Sequence, residues 1–378
     1  MAVGPHGIPH APSAPATRGK VMMNDTHQSA VRAEDSFDVA RVHTWLAQRV
    51  DGLSGPPPEV VQFTGGASNL TYLLRYPHLG RELILRRPPA GKKAGSAHDM
   101  AREYHVQEAL KPVFPYVPTV RALCQDPSVI DTDFYVMDKV PGLILRGRLP
   151  DGMTLPPTAA RTLSEAFIDT LADLHRVDPA AAGLADLGKG DGYVRRQVEG
   201  WSRRYAQART WNTPSFRRVT AWLADHQPDD SALCVIHNDW RLDNLVLDER
   251  DLRITGVLDW EMATLGDPLM DLGSALAYWV QADDDRMARA TRRQPSHLPG
   301  MLTRTEIVER YCDRTGLSAD NWPFYETFGL FRLAVIAQQI YYRYHHKQTR
   351  NPAFRNLWLA VNYLDRRCRS AIRRTGGS

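Results

Sequence analysis

The chain has 378 residues, with 47 Lys+Arg against 43 Asp+Glu and a formal net charge of +4. Hydrophobic residues make up 43% and charged residues 24%, the composition of a globular protein long enough for two or three structural units. Fibrous and wholly disordered chains are excluded, and so small a charge argues against a nucleic-acid partner. No apolar run approaches the ~20 residues that cross a bilayer. The N-terminus also lacks the apolar core of a signal peptide, so a cytoplasmic protein without a membrane partner is expected. Cys124, Cys234, Cys312 and Cys368 lie far apart with no C-x-x-C pair, and read as buried thiols.

Residues 1–36 carry Pro5, Pro9, Pro12 and Pro15 among small and polar residues, which predicts a disordered tail. A helix follows from Asp38, with Val42, Trp45, Leu46 and Val50 on one face, and Gly55-Pro56-Pro57-Pro58 ends it. Strands are predicted at Glu59–Thr64, Ser68–Arg75 and Glu82–Arg87, then a helix over Ala97–Leu110 and a buried strand over Phe134–Val140. Beyond Pro150 the pattern is helical, and Thr158–Val177 places Leu163, Phe167, Leu171 and Leu174 on one stripe. Cys234–Asp259 interrupts it, with Leu245–Leu247 and Leu252–Leu258 flanking a polar turn as in a hairpin. Helices return from Pro268 onward. The predicted class is α+β, with a small β-rich lobe at 37–138 and a larger helical lobe at 139–378.

The chemistry concentrates in Val235-Ile236-His237-Asn238-Asp239-Trp240-Arg241-Leu242-Asp243-Asn244, followed fifteen residues after Asn244 by Asp259 in Val257-Leu258-Asp259-Trp260-Glu261. Asp239, Asn244 and Asp259 are hard oxygen donors or proton acceptors on loops between apolar strands. Magnesium takes few protein oxygens and completes its shell with phosphate and water. One Asp can then orient and deprotonate a hydroxyl while an Asn and a second Asp hold the metal against a nucleotide, the division of labour of phosphoryl transfer. Turn and capping carboxylates explain any one of these residues, but not the joint spacing H-x-D-x-x-x-x-N with a strand-borne Asp.

On these motifs, with Gly266-Asp267-Pro268-Leu269-Met270-Asp271-Leu272, the chain from about Asp38 onward resembles the aminoglycoside phosphotransferase and choline-kinase-like superfamily. That superfamily has a bilobal protein-kinase-like fold, and the likeness is greatest to its branch fused to acyl-CoA dehydrogenases. The resemblance implies Asp239 as catalytic base, Asn244 and Asp259 as magnesium ligands, His237 as a scaffold residue, and Asp271, with Asp267, as braces of the loop. It implies a nucleotide-covering loop with Gly65, Gly66 and Ser68, a hinge at Met137 and Lys139 pairing with the base of ATP, and a helix carboxylate, Glu103. Glu103 would hold a phosphate-binding cation, and here the sequence departs: Arg86 stands at the usual lysine, with Lys92 or Lys93 as other sources of charge. Asn238 stands where many relatives have glycine.

The function implied is Mg-ATP-dependent transfer of a phosphate to the hydroxyl of a small molecule, a hydroxy acid or its thioester being one candidate. The alternatives are aminoglycoside phosphorylation and a catalytically inactive nucleotide-binding module. Asp283-Asp284-Asp285 reads as a solvated loop rather than an acidic site for a polycation. The abundance of Trp201, Arg203, Arg204, Tyr205, Trp279, Tyr341, Tyr342 and Arg343 suits an uncharged or anionic acceptor. Oligomeric state has no signal in the sequence.

Overall fold

Alternating apolar residues build one antiparallel sheet in the computed structural model, which describes residues 28–63, 69–89 and 99–375. Its strands are β1 (Gln28–Ser29), β2 (Glu59–Phe63), β3 (Leu70–Tyr76), β4 (Arg81–Arg87), β5 (Val120–Cys124) and β6 (Phe134–Asp138), in the order β1-β2-β3-β4-β6-β5. The period of two divides the side chains: Tyr72, Leu74 and Leu85 pack with Val42 and Leu46 of helix α1 (Val39–Ala47). Leu73, Ile84 and Met137 pack on the other face with Met100 of α2 (Met100–Leu110). The short helix α3 (Pro127–Ile130) joins β5 to β6.

Two expectations are corrected here. Residues 28–36, assigned to the tail by composition, belong to the folded lobe. β1 pairs with β2, and the Asp35 carbonyl accepts bonds from Tyr72 and Arg87, while its carboxylate accepts one from Gln62 at 2.8 Å. Anchoring through one buried acid leaves no hydrophobic pattern to read. β5 was not expected either, because a register shift between Val120 and Ala122 breaks its alternation.

The second lobe is mainly helical: α4 (Pro157–His175), α5 (Tyr193–Ala208), α6 (Arg217–Asp225), α7 (Pro268–Ala277), α8 (Arg286–Thr291), α9 (Arg304–Thr315), α10 (Trp322–His345) and α11 (Leu357–Thr375). The predicted stripe of α4 is fully in the core. Helices α7 and α10 cross so closely that a Cβ on Gly329 would strike the Gly273 carbonyl, and one on Gly273 the Tyr325 carbonyl. Only glycines permit that backbone approach. Two short antiparallel pairs carry the loops of interest: β7 (Cys234–Ile236) with β10 (Thr264–Gly266), and β8 (Leu245–Leu247) with β9 (Ile254–Val257).

The connection after β6 is tied to this hairpin. Leu143 and Leu247 exchange two backbone hydrogen bonds of 2.8 Å, and Gly142, at φ +141°, lies against the Leu247 carbonyl where a side chain would collide. Among the described residues, no helix is long and apolar enough to cross a membrane.

Candidate active site

Asp271, in the first turn of α7 and fully buried, organises the loop after β7. Its Oδ2 accepts the His237 amide at 2.8 Å and its Oδ1 the Asn238 amide at 2.9 Å. His175 Nε2 lies 3.2 Å from Oδ2, and His175 Nδ1 lies 2.6 Å from the Tyr311 hydroxyl. Burial works against the carboxylate's charge. The bond from His175, the field of His175 and His237 and the His237 amide outweigh it and hold the Asp271 carboxyl below its ordinary range. Asp267 caps α7 through the Met270 amide at 2.9 Å and also holds Ser231, just before β7. Both expected braces are therefore in contact with the segment around β7.

His237 closes the loop. Its Nδ1 accepts the Asp239 amide at 3.2 Å, so the proton sits on Nε2, which donates to the Leu258 carbonyl at 3.0 Å. The ring thus links Asp239 itself to Leu258, the residue preceding Asp259. Asn238 has φ +66°, a left-handed conformation that asparagine tolerates better than most residues, which explains its place at a position favouring glycine. Its carbonyl accepts from Arg332 at 2.7 Å, its Nδ2 donates to the Met262 carbonyl at 3.1 Å, and the Tyr193 hydroxyl lies 3.3 Å from its Oδ1.

Asn244 Nδ2 donates to the Asp239 carbonyl at 2.9 Å and to its Oδ2 at 3.1 Å, while the Asn244 carbonyl accepts the Leu258 amide at 2.8 Å. Among the described residues the side-chain amide oxygen of Asn244 accepts no hydrogen bond and can serve as a cation donor, and Asp259 is the residue after Leu258. Asp259 itself has φ +68°. Among the described residues no group of three or more His, Cys, Asp or Glu gathers as a metal cage. One carboxylate plus one amide oxygen fits magnesium, which draws its other ligands from phosphate and water.

Across the cleft, Arg86 on β4 is 11% exposed and Glu103 on α2 is 2% exposed, their Nε and Oε1 separated by 3.1 Å. Arg86 also donates to Asp259 Oδ1 at 2.9 Å and lies 3.7 Å from Glu261. The Tyr135 hydroxyl donates to Glu103 Oε1 at 2.8 Å. Burial opposes the charge of Arg86, but Glu103, Asp259 and Glu261 surround it and hold its pKa well above the ordinary value. Arginine at the lysine position therefore meets the expected helix carboxylate, and Glu103 is not on a solvated face. Met137 and Lys139 line a cavity of about 270 Å³ between the lobes, with Ile84, Val140, Leu143 and Leu258. Lys139 pairs with Glu82. Gly65, Gly66, Ser68, Lys92 and Lys93 lie outside the described residues.

Sequence reasoning missed Arg241, which reaches Asp239 Oδ2 at 3.2 Å and Asp243 Oδ1 at 3.3 Å and lies 5.0 Å from the Tyr278 ring. It stands inside the motif, so only an assignment was lacking. Glu261, next to Arg86 and bonded by Asn69 at 3.0 Å, was also unassigned. Asp284 is not solvated as expected: Arg304 grips both of its oxygens at 2.7 and 2.8 Å. Its partner comes from α9, which a local charge count cannot see. Trp279 belongs to the core, its indole donating to the Leu302 carbonyl.

A β lobe over a helical lobe, with these loops in the cleft, defines a kinase-like phosphotransferase architecture. The profile described as the phosphotransferase enzyme family matches residues 59–306, and the chain belongs to that family. It is 38% identical over 304 residues to mouse "Acyl-CoA dehydrogenase family member 10", covering 79% of this chain and 28% of that one. It is 33% identical over 321 residues to human "Acyl-CoA dehydrogenase family member 11", covering 83% and 40%. The chain thus spans less than half the length of these curated relatives. A Ralstonia eutropha structure, provisionally assigned as an aminoglycoside phosphotransferase, has 31% identity and a TM-score of 0.75, covering 90% of this chain and 99% of that one. Choline kinase from Cryptosporidium parvum shares the fold at 10% identity and a TM-score of 0.58, covering 90% and 97%.

Proposed function

We propose that this protein is a Mg-ATP-dependent kinase that moves the γ-phosphate to a hydroxyl of a small molecule, of the class of hydroxy acids and their thioesters. The reading rests on one observation: Asn244 bonds both the side chain of Asp239 and the backbone next to Asp259, so base and metal donors form one rigid unit. Asp239 Oδ1 has no hydrogen bond among the described residues, whereas Oδ2 is held by Asn244 and Arg241. Oδ1 is the atom that accepts the acceptor's hydroxyl hydrogen, aims its oxygen and takes the proton as the new P–O bond forms. Arg86, fixed by Glu103, supplies a permanent charge to the phosphates, and the apolar cavity at Met137 takes the base. Asn244 and Asp259 would hold a magnesium ion, which when bound would supply positive charge to the phosphates.

The acceptor class has two supports. Relatives join a segment like this one to chains named for acyl-CoA dehydrogenation. Arg332, bonded to the residue before Asp239 and set against Trp201, and Arg204, over the same tryptophan, have no carboxylate within ion-pair distance among the described residues, a charge that disfavours a polycation such as an aminoglycoside. No role is assigned to a nucleic acid or a membrane, and the site needs neither. The test is transfer of label from γ-¹⁸O ATP into hydroxy acids, their coenzyme A thioesters and aminoglycosides, read by mass spectrometry beside Asp239→Asn. The expected result is label in the first two classes, reduced about 10²- to 10⁴-fold by the substitution. Efficient labelling of aminoglycosides alone overturns the acceptor class. Binding of Mg-ATP with no transfer to any acceptor, unchanged by Asp239→Asn, overturns the kinase.

A further inference from the structure

Against the loop that carries Asp239 lies a positive cluster that the phosphate chemistry above does not use. Arg332, on α10, is 5% exposed. Its guanidinium donates one hydrogen bond among the described residues, to the Asn238 carbonyl at 2.7 Å, and its central carbon lies 5.2 Å from the centre of the Trp201 ring. Arg204, one turn beyond Trp201 on α5, lies 4.6 Å from the same ring centre. The two charges are therefore within about 10 Å of each other. Among the described residues neither has a carboxylate within ion-pair distance.

Arg87, the other buried arginine among the described residues, also lacks a carboxylate but gives hydrogen bonds to the Asp35 carbonyl and the Tyr72 hydroxyl. Of the partly buried arginines, Arg86 has Glu103 and Asp259, Arg241 has Asp239 and Asp243, and Arg304 has Asp284. A buried cation without a counter-ion is costly, and a second cation beside it adds repulsion. Burial, reinforced by Arg332 and Arg203, holds the Arg204 pKa below its ordinary value. The backbone bond to Asn238 explains one nitrogen of Arg332. It does not explain why the charge is left uncompensated one residue from Asp239, or why a second arginine shares its tryptophan.

We infer that Arg332, Arg204 and Trp201 form an anion subsite that receives a carboxylate or phosphate of the acceptor and so selects anionic substrates. The inference rests on the proposed reading only in placing the acceptor hydroxyl at Asp239. Guanidinium groups bind either anion through paired N–H donors, and the indole keeps the forks in place at little entropic cost. Arg332, tied to the loop that carries Asp239, fixes the distance between the anion and the phosphorylated hydroxyl. Arg204, on the exposed side, meets the anion as it enters.

The test measures binding without nucleotide by calorimetry, using 3-hydroxybutyrate, its uncharged amide and its coenzyme A thioester. Wild-type protein is compared with Arg204→Gln and Arg332→Lys, with folding checked by circular dichroism. At least one anionic probe is expected to bind about tenfold or more tightly than the amide, and Arg204→Gln to remove most of that preference. In turnover the substitution is expected to raise KM for that acceptor with kcat nearly unchanged. Preference for the free acid assigns the subsite to a carboxylate, and preference for the thioester alone to carrier phosphates. Equal binding of acid, thioester and amide overturns the subsite, as does binding by neither anion. A preference untouched by both substitutions overturns it too. If Arg332→Lys lowers kcat alone and Arg204→Gln changes nothing, Arg332 only props the Asn238 turn. Because binding is read without ATP, loss of phosphoryl transfer with the anion preference intact would break the kinase reading and leave the subsite standing.

Discussion

Two ionic clusters are joined through His237, which bonds Asp271 on one side and the carbonyl before Asp259 on the other, and they are built differently. Around Asp271 both carboxylate oxygens are bonded, by two backbone amides and by His175, whose other nitrogen meets Tyr311. Around Arg86 bonding is incomplete: Glu103 Oε2 is buried without a hydrogen bond, and the Arg86 Nε is close to Glu103 but poorly aligned. A closed network fixes geometry, whereas an open one keeps charge available to a ligand. The first positions the base and the second addresses the nucleotide, which is why their variants should fail in different ways.

The largest effect is expected at the closed cluster. Asp271→Asn keeps the shape but removes the charge and offers an N–H where backbone amides need an acceptor. Breaking a buried charged network of this kind costs about 3–5 kcal/mol, and chemical denaturation would measure it. A loss below about 1 kcal/mol would mean that Asp271 does not hold the loop as a closed charged network.

Gly329→Ala comes next. The added methyl group strikes the Gly273 carbonyl, so α7 and α10 must part and a loss of about 1–3 kcal/mol follows. These helices carry Asp271 and Arg332 respectively, so activity should fall before the protein unfolds, readable as a drop in kcat at temperatures where circular dichroism is unchanged.

Substitution at the open cluster should act on ligand binding. Arg86→Lys keeps the charge near Glu103 but loses the arm that reaches Asp259 at 2.9 Å. That contact is partly exposed and worth about 1 kcal/mol or less, so freeing Asp259 should lower half-saturating magnesium by up to about fivefold with little change in stability. A rise in the magnesium requirement would show instead that Arg86 helps to orient Asp259.

The two clusters were also unequally legible in the sequence. Asp239 and Asn244 lie five residues apart and Asp259 follows on the next strand end, so local spacing exposed them, whereas the roles of His237 and Asp271 came from the family resemblance of the motifs. The strands at β2–β4 were visible because alternation there is regular. Arg332 and Arg204 acquire meaning only through a tryptophan and a carbonyl brought by other helices, and no local pattern encodes that. Asp284 misled for the same reason, since its partner Arg304 lies 20 residues away on α9.

The smallest effect tests surface electrostatics, and its sign can be worked out. Thr303 and Glu306 form a reciprocal cap at the start of α9: the Thr303 amide and hydroxyl donate to Glu306 Oε2 at 2.8 and 2.9 Å, and Arg161 donates to Oε1 at 2.7 Å. The Thr303 amide first, then Arg161 and the Thr303 hydroxyl, lower the Glu306 pKa to about 2. Because the folded value lies below the unfolded one, the unfolded chain binds more protons between them. Stability from this group is therefore complete above about pH 4.5 and is lost as the pH falls toward about 2. The side chain is 38% exposed, so solvent screening limits the gain to about 1 kcal/mol or less. Glu306→Gln should flatten that part of the acid-denaturation profile while leaving stability at higher pH only slightly reduced, and measuring both proteins between pH 2 and 5 checks it. An unchanged acid slope would mean that Arg161 and the cap contribute geometry rather than charge, and that the unequal roles of ionic groups in this fold are confined to its buried clusters.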